Sequence, residues 1–97
     1  MPSDTHAIYL QRRRAEIGKR VRAIRRQSGH SQEEVAAYLG CSRIKVTRVE
    51  NGTTEFSVGE LELLAEQFGV SILHFLGIEV TVAMQGRQQQ FTLPNVG

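Results

Sequence analysis

The sequence predicts an all-α domain of five short helices, followed by a tail of different character. Three observations carry this. Apolar residues between Ile17 and Leu76 recur at three- and four-residue steps, as on one face of a helix. Ser31, Ser42, Ser57 and Ser71 each precede such a run and have the side chain that caps a helix start. Gly29, Gly40, Gly69 and Gly77 follow the runs, where a left-handed residue ends a helix.

The first helix is read over Gln11–Arg26. Ile17, Val21 and Ile24 form its apolar stripe, and basic residues cover its other faces. Met1–Tyr9 has no strong period and reads as frayed, with a start as early as Asp4 or Thr5 also compatible. Arg25 and Arg26 suit the C-terminal dipole, and Ser28-Gly29 stops the helix. The second helix opens with Ser31-Gln32-Glu33-Glu34, a capping box, and carries Val35, Ala36 and Leu39. The third runs Arg43–Glu50 after Ser42. Its apolar positions are Val46 and Val49, with Ile44 on another face, and Asn51-Gly52 ends it in a turn. Thr53–Phe56 is read as a linker. In the fourth helix, Val58–Phe68, residues Leu61, Leu64, Ala65 and Phe68 share a face and Leu63 lies toward its edge. The fifth is Ile72–Leu76.

Period two replaces the helical period beyond Gly77. Val80–Met84 and Gln90–Leu93 alternate, and Gly86-Arg87 between them has the type II′ turn preference. A short C-terminal β-hairpin is one reading. It would align Val80, Val82, Phe91 and Leu93 on an apolar face that needs something to pack on, because a lone hairpin is marginal in water. A disordered tail is the competing reading. The expected organisation is therefore residues 1–14 as a basic arm or an extension of the first helix, 15–77 as the helical domain, and 78–97 as the tail.

A chain of 97 residues with 40% hydrophobic content supports one modest core, aliphatic because it holds six aromatics and no Trp. Dimerisation would help so small a domain. The single cysteine, Cys41, forms no intramolecular disulfide, which suits a reducing compartment. Met1–Leu10 carries Asp4 and lacks a long apolar core, and no run of 18 apolar residues exists. The expectation is a cytoplasmic, nucleoid-associated protein with no membrane partner. Charge is divided along the chain. Residues 1–52 hold eleven Lys/Arg and five Asp/Glu; residues 53–97 hold Arg87 and five Glu. The basic half suits a polyanion, and the bland alternative is a solvated helix face.

The second and third helices meet the steric demands of a helix-turn-helix over Gln32–Asn51. Ala36 is small where the helices cross, Gly40 tolerates positive φ in the turn, and β-branched Val46 packs back inward. Val35, Leu39, Cys41 and Val49 fill the other inward positions. With Ile17-Gly18-x2-Val21-Arg22-x2-Arg25, Ser31–Ala36, Glu50-Asn51-Gly52 and Leu64-Ala65-x2-Phe68-Gly69-Val70-Ser71 in order, Ile17–Leu76 resembles the Cro/phage-repressor (Xre) family of regulators. The resemblance implies a five-helix domain that binds double-stranded operator DNA as a homodimer. The family often has a proline near Phe56, which this chain lacks, so the linker's conformation stays open.

In such a domain the third helix enters the major groove, N-terminal side chains first. With Val46 and Val49 turned inward, Arg43, Ile44, Thr47 and Arg48 face outward. Arg43 and Arg48 suit the bidentate contact to guanine O6 and N7, and Ile44 suits a thymine methyl. The resemblance implies the same four positions as base readers, with phosphate contact the alternative for either Arg. Ser42 at the helix start, Lys45 toward the flank, and Asn51 after the helix are read as further DNA contacts, with Thr53 and Thr54 beside them. Gln32 is read as a phosphate ligand where the second helix crosses the backbone, a role the resemblance also implies. Arg25 and Glu50 match the family's structural ion pair. Arg12-Arg13-Arg14 fits either an arm reaching phosphates or a solvated helix face. Cys41 stands where the family usually has Val and reads as a small buried residue.

Nothing invites catalysis. His6, His30 and His74 match no metal-ligand spacing, and there is no phosphate loop or G-x-S-x-G. No cofactor or metal is expected. The dimer contact is expected from Ile72, Phe75, Leu76 and Ile78, with the hairpin's apolar face. Two neighbouring readings stay open: an antitoxin binding a toxin through its tail or N-terminal arm and repressing its own operon, and a restriction–modification controller.

Overall fold

The computed structural model describes residues 2–78, with side chains from Asp4 onward. The hairpin read in the tail lies outside the described residues. Five helices follow in order: α1 (Pro2–Gln27), α2 (Gln32–Leu39), α3 (Arg43–Glu50), α4 (Val58–Phe68) and α5 (Ile72–Leu76). α1 packs on α3 and α5, α2 on α3 and α4, and α4 on α5.

α1 begins well before its apolar stripe does. Residues 2–9 are helical, where the sequence pattern reads as frayed. Proline suits a first turn, Asp4 complements the N-terminal dipole, and Ala7, Leu10, Gln11 and the three arginines are strong helix formers. Propensity thus extends the helix without burial: every side chain from Asp4 to Arg12 is exposed.

Local chemistry sets the other starts. The Glu34 amide donates to Ser31 Oγ (3.0 Å) while the Ser31 amide donates to Glu34 Oε1 (2.9 Å). Ser57 and Glu60 repeat this reciprocal box at 3.1 and 2.8 Å. Gly40 adopts φ 73° at the end of α2, which makes the turn into α3 tight. Ser57→Ala removes an orphan-amide partner and is expected to lower unfolding free energy by about 1 kcal/mol, measured as a shifted urea midpoint with unchanged slope.

The core gathers Val21, Val46, Val49, Leu64 and Phe75, all essentially inaccessible to solvent. Ala36 and Ala65 fill close crossings. Two aromatics sit differently from the sequence reading. Phe56, at the end of the segment read as a linker, is buried. Phe75, read as part of a dimer face, is wholly inside its own domain, because α5 turns it onto α1 and α4. Ile72 and Leu76 pack partly against the same core, leaving Ile78 exposed.

Candidate nucleic-acid interface

α3 is seated by Val46, Val49 and the carboxylate of Glu50, all buried. Lys45 and Thr47 are half-buried. Ile44 is 62% exposed, and Arg43 and Arg48 are also exposed. Ser42 caps α3 by accepting the Lys45 amide at 3.1 Å. Asn51 is the C-cap, its amide donating to Thr47 O at 3.0 Å. Thr53 returns to the helix end, with amide and hydroxyl both donating to the Arg48 carbonyl.

One buried pair fixes this helix against the body. Arg25 donates from Nε to Glu50 Oε2 (2.6 Å) and from Nη2 to Oε1 (3.0 Å), a two-point clasp. Its Nη1 donates to the His30 carbonyl at 2.8 Å. Burial pushes the Glu50 carboxyl up, but the hydrogen bonds from Arg25 and Gln32 and the charges of Arg25 and Arg22 outweigh it and hold the group below the usual glutamate range. The bond to Glu50 raises Arg25 against a smaller burial effect.

Gln32 links this clasp to the outward face. Its Nε2 donates to Glu50 Oε1 (3.0 Å), and its Oε1 accepts from Thr47 Oγ1 (3.0 Å) and Arg43 Nε (3.3 Å). Arg43 also lies 3.5 Å from the Glu33 carboxylate. Two of the residues read as base readers are therefore held by the residue read as a phosphate ligand. Sequence reasoning missed this, because the partners lie 11 to 18 positions apart and share no local period. Gln32 Nε2 carries a second hydrogen besides the one given to Glu50.

Lys45 is tied differently. Its ammonium donates to both oxygens of Glu60 at 3.1 and 2.9 Å and stands 5.7 Å from the Phe56 ring centroid. It bridges α3 to the start of α4. The three consecutive arginines do not form one free patch. Arg13 pairs with Glu16 at 2.7 Å, Arg14 approaches Glu55 at 3.9 Å, and Arg12 is exposed. Cys41 is half-buried beside the core, and burial pushes its thiol up, away from reactivity.

Among the described residues, no three His, Cys, Asp or Glu side chains converge to hold a metal ion. No helix there is long and apolar enough to cross a membrane.

Known proteins share this architecture. A stretch of 61 residues is 33% identical to the antitoxin PezA of Streptococcus pneumoniae, covering 63% of this chain and 39% of that protein. Another of 57 residues is 33% identical to the competence pilus inhibition repressor of Acinetobacter baylyi, covering 59% and 52%. The chain thus spans about half or less of the curated relatives' length. Among solved structures, the restriction-modification controller protein C.AhdI of Aeromonas hydrophila superposes with a TM-score of 0.58 at 30% identity, over 63% of this chain and 92% of that one. A hypothetical transcription factor, NHTF, from Neisseria gives 0.60 at 27% identity, over 75% and 83%. The helix-turn-helix family model matches residues 21–75, more than half of the chain, and takes in the Arg25–Glu50 clasp and all of α2 to α4. With five helices in the expected order and an inward-seated α3, the chain belongs to the Cro/repressor-type (Xre) helix-turn-helix family.

Proposed function

We propose that this protein is a sequence-specific double-stranded DNA-binding transcriptional regulator, a repressor that binds a palindromic operator as a homodimer. One observation carries the reading. α3 buries Val46 and Val49 and turns Arg43, Ile44 and Arg48 to solvent on a helix locked at its far end by Arg25 and Glu50. In the major groove, Arg43 and Arg48 read guanine, and Ile44 contacts a thymine methyl. Thr47 adds a hydroxyl beside them. Ser42, Asn51 and the second hydrogen of Gln32 Nε2 meet phosphates. Lys45, paired with Glu60, reaches a phosphate at the groove flank by exchanging that partner.

Selection of bound fragments from random DNA is expected to return a palindrome. On that site Arg43→Ala and Arg48→Ala each lose about 1–3 kcal/mol of discrimination at particular base pairs, roughly five- to 150-fold in Kd ratio. Gln32→Ala weakens specific and random DNA together through its phosphate contact. A Gln32→Ala loss confined to the specific site would assign this residue to holding Arg43 and Thr47 instead. Equal losses on specific and random DNA for both arginine variants would remove them as base readers.

The 33% identity to an antitoxin favours a second reading, in which the chain also binds a toxin protein and represses its own operon. The likeness to C.AhdI favours a restriction–modification controller in the same way. An adjacent toxin-like or methyltransferase gene distinguishes them.

A further inference from the structure

The exposed face of α3 is held partly from α2. Arg43 meets the first residues of that helix, Gln32 and Glu33. Its Nε donates to Gln32 Oε1 at 3.3 Å, and the same nitrogen lies 3.5 Å from Glu33 Oε2. Both partners therefore grip the guanidinium at the nitrogen nearest its own stem. Nη1 and Nη2, at the tip, form the parallel pair of donors that matches guanine O6 and N7. The Gln32 amide is fixed in its turn. Its Nε2 donates to the buried Glu50 carboxylate, so Oε1 is the end that faces Arg43.

Folding gives little reason for an acid at Glu33. The ion pair is exposed on both sides, 65% for Glu33 and 61% for Arg43, and such a pair adds little to stability. The N-terminal dipole of α2 favours an acid, but Glu34 already supplies one and closes the capping box with Ser31. Glu33 also sets a carboxylate at the start of α2, the end read as crossing the DNA backbone, where phosphates repel it. How much that repulsion costs depends on where Arg43 goes. With its tip on guanine, Arg43 keeps Nε beside Glu33 and the carboxylate stays neutralised. With Arg43 swung onto a phosphate, Glu33 is left unpaired against the polyanion. One carboxylate thus favours the base contact over the backbone contact.

We propose that Glu33 is a specificity-determining residue, which holds Arg43 by Nε, aims its Nη pair at guanine and opposes its use on phosphate. Glu33 touches no base. It is a positioning residue that acts through Arg43. The inference rests on the reading of α3 as the helix that enters the major groove, and assigns to that reading a residue on α2 that discriminates without contacting the bases.

Selection from a pool of random duplex DNA tests this, with full-length wild type, Glu33→Ala, Arg43→Ala and the double variant carried in parallel. Each selected set yields a base profile. Glu33→Ala is expected to lower the preference for guanine by roughly three- to tenfold at the position that Arg43→Ala relaxes, a part of the full bidentate contact. The position read by Arg48 keeps its preference. In the Arg43→Ala background, Glu33→Ala changes no base preference. Against a labelled random-sequence duplex, Glu33→Ala binds more tightly than wild type, because a charge opposing the phosphates is gone. A residue that only supported α2 would instead lower the urea midpoint and leave the profile alone. An unchanged guanine preference in Glu33→Ala, at a position that Arg43→Ala does relax, overturns the proposal and leaves Arg43 a base reader. Additive losses in the double variant also overturn it, since Glu33 would then act without Arg43. A profile that Arg43→Ala leaves unchanged removes the base-reader assignment itself, and the proposal with it.

Discussion

Arg25→Met, with Glu50 left in place, is expected to remove about 3–5 kcal/mol of unfolding free energy. A small domain has about 5–15 kcal/mol in total, so this is a large share. The cause is the partner left behind. The Glu50 side chain is 2% exposed, and without Arg25 only Gln32 faces its carboxylate directly. Glu50→Gln is expected to cost less, because a neutral amide is cheaper to bury and still accepts from Arg25. The double variant Arg25→Met/Glu50→Leu should recover most of the loss, since removing both charges leaves neither unpaired. Urea denaturation of Arg25→Met, Glu50→Leu and the double variant gives the cycle; a loss of under about 1 kcal/mol for Arg25→Met would mean that the pair acts as an exposed one.

The same pair sets an acid limit. Glu50 in the folded protein titrates below the ordinary value of 4.5. It therefore binds a proton more weakly than in the unfolded chain, and its contribution to stability is fully present above about 4.5. That contribution falls as pH drops through the lower, folded value. Glu34, held down chiefly by the Ser31 amide, changes in the same direction. Glu60 does too: burial raises it, but the Ser57 amide and Lys45 outweigh that effect. Wild-type stability should decline below about pH 4.5, with a shallower decline in Glu50→Gln. Equal slopes would remove Glu50 from the acid transition.

What was legible in the sequence was local. Ser31 with Glu34, Gly40 in the turn, and the inward spacing of Val46 and Val49 each act within a few residues, so period and caps reveal them. Arg25 and Glu50 were legible only through the family resemblance, being 25 positions apart. The bonds from Gln32 to Arg43 and Thr47, and from Lys45 to Glu60, join different helices, and residue type says nothing of which partner is reached. Phe56 and Phe75 show the same limit for packing. A lone aromatic between helices, or on a five-residue helix, has no period to say which way it turns.

Gly18 is the position where a single methyl group should do most damage. In an exposed helix interior, Gly→Ala gains about 1 kcal/mol from helix propensity. Here a Cβ would overlap the Val49 carbonyl oxygen and stand 3.2 Å from that of Glu50. Both are backbone atoms at the end of α3, so no side chain can rotate away. α1 and α3 must separate, and overpacking of this kind costs about 3 kcal/mol or more. The net expectation for Gly18→Ala is a loss of about 2 kcal/mol. Gly18→Val, larger and without Ala's propensity gain, should lose about 4 kcal/mol. Separation also shifts the end of α3 that Glu50 anchors, so Gly18→Ala protein that remains folded should bind its selected DNA site more weakly than wild type. Calorimetric unfolding and a binding isotherm on the same sample separate the two effects. A Gly18→Ala variant more stable than wild type would show that the helices have room between them, and the close approach of α1 to α3 would lose its role in setting the pose of the reading helix.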